Sequence, residues 1–448
     1  MPFLDDLADA LIAAAGKAGA DAADAIALRS EDVGVAVREG ALEEAERAES
    51  TDFGLRVFVG RRQACVSASD PRPEVVAALA ERAVAMAREA PEDPWCGLPE
   101  PGQLGGGQAD AAPLALDDPG GAPSPDALEA QARALEGGAR AVPGVAQVES
   151  ASAAWRRSEV ALAATNGFRG GYARASASLS VSAIAGAGLG METDYDYAVR
   201  RRAADLPAPE AIGRSAAERA VARLDPKKPP TGPATVIFDR RAAPSLIGHL
   251  LGAANGSAVS RGATWLMDRL GQQVLPDWAD LLEDPLLPGG PATRPFDGEG
   301  VGSRARPIVE GGVLTRWLLD CATARKLGTE TTGNARRGTS APPSPGATNV
   351  RLTPGRVSRE ALIAGVERGL LVTSMMGSSV NPTTGAYSRG AAGFWIERGE
   401  IVHPVAEATI AGSLPEFLMR MEAADDPDLH MAVSVPTLRV EGLVVAGG

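Results

Sequence analysis

Hydrolysis of a peptide or ester bond needs either a metal held by several donors or a nucleophile with a base beside it. In this chain histidine limits both, because there are only three: His249, His403 and His430. A zinc site built on one helix places two His at i and i+4, with a Glu next to the first that can take a proton from the bound water. None of the three has a second His within five residues. His249 falls on an expected helix, but Leu250, Leu251 and Gly252 follow it and no carboxylate is adjacent. A lone helical His is more often structural than a ligand, and a zinc site assembled from all three is the remote alternative.

Nucleophilic hydrolysis finds no better footing. A G-x-S-x-G turn is absent; the nearest stretch, Met376-Gly377-Ser378-Ser379-Val380-Asn381, reads as a strand-to-loop turn. Gly298-Glu299-Gly300-Val301-Gly302 resembles a dinucleotide loop only in its glycines, since Arg306-Pro307 interrupts any helix that should follow. No G-x-x-x-x-G-K-[ST] phosphate loop occurs. Carboxylate pairs such as Glu43-Glu44, Asp194/Asp196 and Asp425-Asp426 are plentiful, and solvated surface is their default.

Composition narrows the field further. The 448 residues are 45% hydrophobic and 23% charged, the balance of a globular protein too long for one core. Lys and Arg number 44 against 57 acids, a net charge of −13 that repels nucleic acid. The densest basic spots, Arg200-Arg201-Arg202 and Lys227-Lys228, read as solvated element ends. The three cysteines, Cys65, Cys96 and Cys321, are widely spaced and form no C-x-x-C pair, which fits a reducing compartment. The acidic start, Met-Pro-Phe-Leu-Asp-Asp, lacks a secretory n-region, and no apolar run is long enough for a membrane span. The expectation is a cytoplasmic protein that touches neither nucleic acid nor membrane.

The elements that must position any site follow from periodicity. Leu4, Leu7, Leu11 and Ala14 or Ala15 mark a first helix; Val33, Val35, Val37 and then Leu55, Val57, Val59 alternate as strands, with a turn at Gly60-Arg61-Arg62 and a return strand through Ala64 and Val66. Helices are expected over 73–90, 126–141 and 208–224, and strands over 145–155, 160–164 and 172–184, with Asn166-Gly167 as a hairpin turn. The Pro/Gly-rich tract 91–125, with its triglycine 105–107, reads as loop. The segment 225–233, Asp-Pro-Lys-Lys-Pro-Pro-Thr-Gly-Pro, is the best boundary, dividing the chain into an N-terminal α+β domain (1–225) and a β-rich C-terminal domain (234–448). Within the second, strands are expected over 234–238, 393–397 and 437–445 and helices over 242–253 and 358–369. The fold class expected is α+β, with N-terminal helices packed on a mostly antiparallel sheet.

Two stretches carry a resemblance. Residues 379–390, Ser-Val-Asn-Pro-Thr-Thr-Gly-Ala-Tyr-Ser-Arg-Gly, with Gly393-Phe394-Trp395-Ile396-Glu397 and Thr409-Ile410-Ala411-Gly412, form the first; the second is Val435-Pro436-Thr437-Leu438-Arg439-Val440-Glu441-Gly442-Leu443-Val444-Val445. Together they resemble the TldD/PmbA family, often labelled modulator of DNA gyrase. The Asn-x-x-Thr-Gly-x-Tyr-Ser block is long and unusual, and the order of elements matches over essentially the whole chain.

The resemblance implies one of two kinds of subunit. TldD-type chains carry H-E-x-x-x-H on the helix that opens the C-terminal domain, and a late Cys completes their zinc site. The matching segment here is Leu246-Ile247-Gly248-His249-Leu250-Leu251-Gly252-Ala253. One register sets Gly248, His249 and Ala253 on the motif's His, Glu and His; the other sets His249, Leu250 and Ala254 there. Neither yields a site, and 425–436 contains no Cys. That pattern resembles PmbA-type (TldE) chains. It implies a non-catalytic subunit with no metal or cofactor of its own, paired as a heterodimer with a TldD-type zinc protease, and unfolded peptides as substrates. Residues expected to meet substrate or partner are Asn381, Thr384, Tyr387, Ser388 and Arg389, with His249 beside them. A free-standing hydrolase with another site, and a metal-free binding protein or homodimer acting on gyrase or an antitoxin, remain as alternatives.

Overall fold

The computed structural model describes residues 2–105 and 112–447, so Gly106 and Gly107 of the triglycine tract lie outside the described residues. The first apolar stripe folds as α1 (Pro2–Ala18), burying Leu4, Leu7, Leu11 and Ala15. β1 (Ala22–Arg38), β2 (Ala41–Val59) and β3 (Arg62–Ala68) follow, then α2 (Pro73–Glu89), with Pro73 in its first turn. Ser124 caps α3 (Pro125–Arg140) by accepting from the Ala127 amide at 3.2 Å. Then come β4 (Val145–Ala164), β5 (Arg169–Ala185), β6 (Glu192–Arg200) and α4 (Pro209–Ala222).

The two strands expected over 145–155 and 160–164 are thus one strand of 20 residues. The polar stretch Arg156–Glu159 stays in the ladder because β4 is paired on both sides, to β1 and to β5. Its charges are met on the sheet surface: Arg157 pairs with Asp117 at 2.9 Å and with Glu159 at 2.7 Å.

These six strands form one antiparallel sheet, in the order β3-β2-β1-β4-β5-β6. Alternation puts the odd positions of β1 on one face. Ala23, Ala25 and Ala27 pack under α1 and α2 at one end, while Val33, Val35 and Val37 pack under α3 at the other. All four helices therefore cover the same face, over two separate cores. The even positions look the other way, and the two ends of that face meet different fates.

The C-terminal half is built on β7 (Gly232–Phe238), α5 (Pro244–Ala253), β8 (Arg368–Val380), β9 (Ala386–Glu397), β10 (Glu400–Ser413) and β11 (Leu438–Gly447). β7 lies parallel to β8 and antiparallel to β11, β8-β9-β10 form a meander, and the pairing of β10 with β11 closes the five strands into a barrel. Phe238, Leu370, Trp395, Ile410 and Val440 share one core with Leu246, Ile247 and Leu250 of α5. The helix expected over 358–369 is limited to Arg359–Ala364. It stops because Gly369–Val372 pairs with Thr235–Phe238, so the apolar run that looked helical is a barrel strand.

Between α5 and β8 the chain forms short strands, among them Leu281–Glu283, Arg306–Glu310 and Val350–Leu352, and sends two loops onto the bare face of the N-terminal sheet. Phe296 stands edge-on to Phe168 at 5.0 Å and packs with Ile26 and Leu162. Thr339 runs so close to β2 that a Cβ on Gly54 would lie 2.0 Å from its carbonyl oxygen. Beside this contact Asp24 of β1 sits between two arginines, all three nearly without solvent exposure. Arg56 Nε donates to Asp24 at 3.0 Å, and Arg337 approaches its other oxygen at 2.6 Å. Burial alone would raise the Asp24 carboxyl, but the charges of Arg337 and Arg56 outweigh it and hold the group below the usual carboxylate range.

Glu299 completes the cluster. Its Oε2 accepts from the Cys321 amide at 2.8 Å, and its Oε1 stands 3.5 Å from Arg56. Burial pushes Glu299 up to about 7, against the pull of Arg56 and with the help of Asp297.

Two outcomes follow. Asp24→Ala leaves two buried guanidinium groups without their shared carboxylate, and should lower stability by about 3–5 kcal/mol, read from the urea midpoint. Glu299 takes up a proton more readily folded than unfolded, so its contribution is full below the unfolded value of 4.5 and is lost as pH rises through about 7. Glu299→Gln, which mimics the protonated group, should therefore gain on the parent by on the order of 2 kcal/mol between pH 5 and 8. A difference that does not change with pH would show that Glu299 is not the titrating group.

Candidate functional site

α5 follows β7 directly and packs its Leu246, Ile247, Leu250 and Leu251 into the barrel core. His249 is on the flank of that buried stripe and is half-buried. Its ring meets Tyr387 of β9 edge-on at 5.9 Å, and Tyr387 meets Phe417 in the same manner at 5.4 Å. The Tyr387 hydroxyl is 3.4 Å from the Met375 sulfur. Opposite Tyr387 the ladder is irregular: β8 slips register against β9 between Val372 and Ser374 and again between Met376 and Ser379, with Gly377 at φ +68°. Bulges of this kind bend a strand and re-aim its side chains. Here the bulge exposes the Gly377 carbonyl to Arg389, whose Nε donates to it at 2.8 Å.

The charge state of the pocket follows from burial. Burial lowers the His249 imidazole below its ordinary value, and the positive charge of Arg389 lowers it further. Burial pushes the Tyr387 phenol up to about 12. At neutral pH the site thus presents a neutral imidazole, a neutral phenol and a guanidinium. His249 Nε2 is buried with no hydrogen-bond partner among the described residues. A neutral ring nitrogen left unpaired in this way can bond a ligand's amide or carbonyl, according to tautomer.

The other expected residues divide. Asn381 and Thr384 sit in the turn that joins β8 to β9 and are occupied with its backbone: Asn381 Oδ1 accepts from the Thr383 and Thr384 amides at 2.9 and 3.1 Å, and Thr384 Oγ1 from the Ala386 amide at 3.2 Å. Gly385 continues the turn at φ +74°, packed so tightly that an added Cβ would meet the Pro415 ring at 2.5 Å. Ser388 is exposed on β9 beside buried Tyr387, so the alternation of the strand sends it to the opposite face from His249. The structure brings together His249, Tyr387 and Arg389, with the Asn381–Gly385 turn as their support.

A zinc ion does not fit this donor set. His249 is the one imidazole of the cluster, Arg389 opposes a cation electrostatically, and His403 and His430 belong to β10 and to the turn before β11. Among the described residues no group of three or more His, Cys, Asp or Glu side chains could hold a metal.

Two groupings escaped the sequence reading. The buried Asp24–Arg56–Arg337–Glu299 cluster draws on four distant segments, with no local signal beyond the Asp297-Gly-Glu299-Gly spacing. In that spacing Asp297 Oδ1 accepts from the Glu299 and Val301 amides at 2.9 Å, so the glycine-rich run wraps a carboxylate of its own. The second is at Arg200-Arg201-Arg202: Arg202 is exposed as expected, but Arg201 is partly buried and donates to the Gly290 and Pro291 carbonyls, each at 2.7 Å.

The comparisons with known proteins cover the same frame. Family models described as PmbA/TldA metallopeptidase domain 1, central domain and C-terminal domain match residues 23–87, 118–224 and 231–447. The Metalloprotease PmbA of Escherichia coli O157:H7 is 37% identical over 91% of this chain and 88% of its own. A crystal structure from Bacteroides thetaiotaomicron, named for modulation of DNA gyrase, superposes with a TM-score of 0.90 at 27% identity, covering 99% of this chain and 98% of that one. TldE from Thermococcus kodakarensis shares the fold, with a TM-score of 0.85 at 22% identity over 98% of this chain and 100% of that one.

His249 should titrate below 6.5 in the folded chain, visible in imidazole NMR and assignable by its loss in His249→Gln. Arg389→Gln removes the second of its two depressing causes and should move the midpoint upward. An unchanged midpoint would mean that Arg389 does not act on the ring.

Proposed function

The chain belongs to the PmbA/TldD family of metallopeptidases, and from that membership we propose that it is the non-catalytic, PmbA/TldE-type subunit of a two-chain cytoplasmic zinc protease. The observation that carries the reading is the character of α5. Where a TldD-type chain would carry its zinc-binding pair, this helix offers one neutral imidazole facing a guanidinium, with no carboxylate beside it. On this reading the metal and the general base belong to a second, TldD-type chain. This chain then forms part of the wall around an unfolded peptide substrate. His249, Tyr387 and Arg389 are the groups offered to that substrate or to the partner, as donors and acceptors for peptide amides. Asn381 and Thr384 act through the turn that holds them, and Ser388 on the outer face is open to the partner.

The test is zinc content and peptidase activity of the purified chain, alone and mixed with a TldD-type chain from the same genome. The expected result is a zinc-free, inert chain that forms a stable active complex on mixing, and whose Arg389→Ala variant lowers that activity without releasing zinc. Stoichiometric zinc or peptide cleavage in the lone chain would overturn the reading. Failure of the two chains to associate would favour the metal-free homodimer instead.

A further inference from the structure

At the end of the N-terminal sheet away from the Asp24 cluster, the face of β4–β6 opposite the helices is only partly covered by the C-terminal half. A cavity of about 1030 Å³ opens there, walled by β4, β5, the end of β6, the 287–291 loop and the turn that carries His430. Six arginines line it, Arg156, Arg174, Arg200, Arg201, Arg202 and Arg351, against one acid, Asp205. In a chain with a net charge of −13 this is a local inversion of sign. Two of the six are answered: Arg156 pairs with Asp32 at 3.3 Å, and Arg202 with Asp205 at 2.7 Å. Arg174, Arg200, Arg201 and Arg351 have no carboxylate within ion-pair distance among the described residues.

Arg201 shows that the arrangement is built. Its guanidinium bridges the Ala175 carbonyl of β5 and the Gly290 and Pro291 carbonyls across the cavity wall, fixing the loop to the sheet. Its Nε is buried without a partner. Burial and then the like charge of Arg174 pull Arg201 down to about 10, so it remains a cation near neutral pH, but one whose environment lacks an anion. By contrast, the buried guanidinium groups of Arg56 and Arg337 share the Asp24 carboxylate. Here the counter-charge is missing from the chain.

The surface leading to the cavity has its own character. β6 is the last strand of the sheet and is bonded on one side only. Tyr195, Tyr197 and Val199 project from its uncovered face, 52%, 42% and 40% exposed. They stand opposite Ser182, Ser180 and Ser178 of β5. The two tyrosine rings are stacked at 6.2 Å, and Arg241 sits 4.7 Å over the first. A tyrosine stripe beside a serine row offers rigid apolar area and adaptable hydrogen bonds, which suits a peptide. The strand's direction carries this stripe into the arginines.

We propose that this face binds an extended acidic peptide segment, whose backbone and apolar side chains lie along Tyr195–Val199 and whose carboxylates enter the cavity to meet Arg174, Arg201 and Arg351. Planar guanidinium groups are suited to bidentate capture of carboxylates. A nucleic acid carries the same sign of charge, but it would extend beyond the cavity over a surface of net negative charge. The inference deepens the peptide-handling reading given above. It concerns binding by this chain alone, so its failure and the failure of the two-chain protease are read in separate experiments.

The test is fluorescence anisotropy of the full chain with a labelled peptide of alternating Glu and Ser containing one Tyr, beside a counterpart with Gln for Glu and an amidated C-terminus. The Glu peptide should bind at least about tenfold more tightly, and the gap should close as salt is raised. Arg174→Gln with Arg351→Gln should abolish the preference; neither residue is in an ion pair, so a melting curve like the parent's is expected. If the double variant does not fold, the exposed Arg174→Gln alone should still reduce the preference several-fold. Tyr197→Ser should weaken both peptides alike. Equal affinity for the two peptides, or an unchanged preference in the folded arginine variants, overturns the proposal. Displacement of the peptide by a single-stranded oligonucleotide or by inorganic phosphate at lower concentration than by unlabelled Glu peptide would also overturn it, in favour of a phosphate ligand.

Discussion

Asp24 is the group on which the joining of the two halves depends. It is one carboxylate shared by Arg56, on the neighbouring strand, and Arg337, on a loop from beyond the barrel's first strand. A buried ion pair gains little net free energy, because desolvation consumes most of the attraction. Its value lies in exclusivity. Arg337 has no other acid nearby to neutralise it, so the loop that bears it has one low-energy seat. Gly54 allows Thr339 to reach that seat, and Phe296 against Phe168 excludes water around it.

From that constraint the division of the sheet follows. Four helices cover the odd face along its whole length, so every unpaired feature must appear on the even face. At the Asp24 end the even face is sealed by loops 294–301 and 337–339. At the β6 end it stays open, with tyrosines, serines and arginines where apolar residues would otherwise be needed for packing. The open cavity and the sealed cluster are two ends of one surface, and the chemistry of each residue set matches its degree of cover. At the sealed end Arg56 and Arg337 share one carboxylate, whereas at the open end Arg174, Arg201 and Arg351 have none within ion-pair distance among the described residues.

Much of this was legible from the sequence, where local pattern decides the outcome. The helices on the first half of the chain, the antiparallel sheet and the α+β class follow from period and caps, because each element buries a stripe that its own residues define. The misjudged elements are those decided by distant partners. Residues 358–369 carry a helical spacing, yet 369–372 belong to a barrel strand because β7 supplies its ladder. The polar run 156–159 looks like a strand break, and remains strand because both neighbours are long. Barrel closure depends on β10 meeting β11, a pairing that no local signal encodes. Arg200-Arg201-Arg202 looks solvated until the 287–291 loop, ninety residues away in sequence, arrives to cover Arg201. His249 lies between these cases: its helix was legible, but the charge of Arg389 acting on it was not.

That last pair explains why the helix is more than a zinc helix with letters changed. A metal position needs donors, a base and a field that welcomes a dication. Restoring donors at Leu250 and Ala254 would meet only the first two conditions, because Arg389, held by the bulged carbonyl of Gly377, would still set a positive charge against the ion. The bulged Gly377 carbonyl holds that guanidinium, and Tyr387 and His249 feel its charge. The field is therefore fixed by the barrel and not by the helix. A surface that keeps its imidazole neutral and its guanidinium fixed is suited to holding a neutral peptide backbone in place.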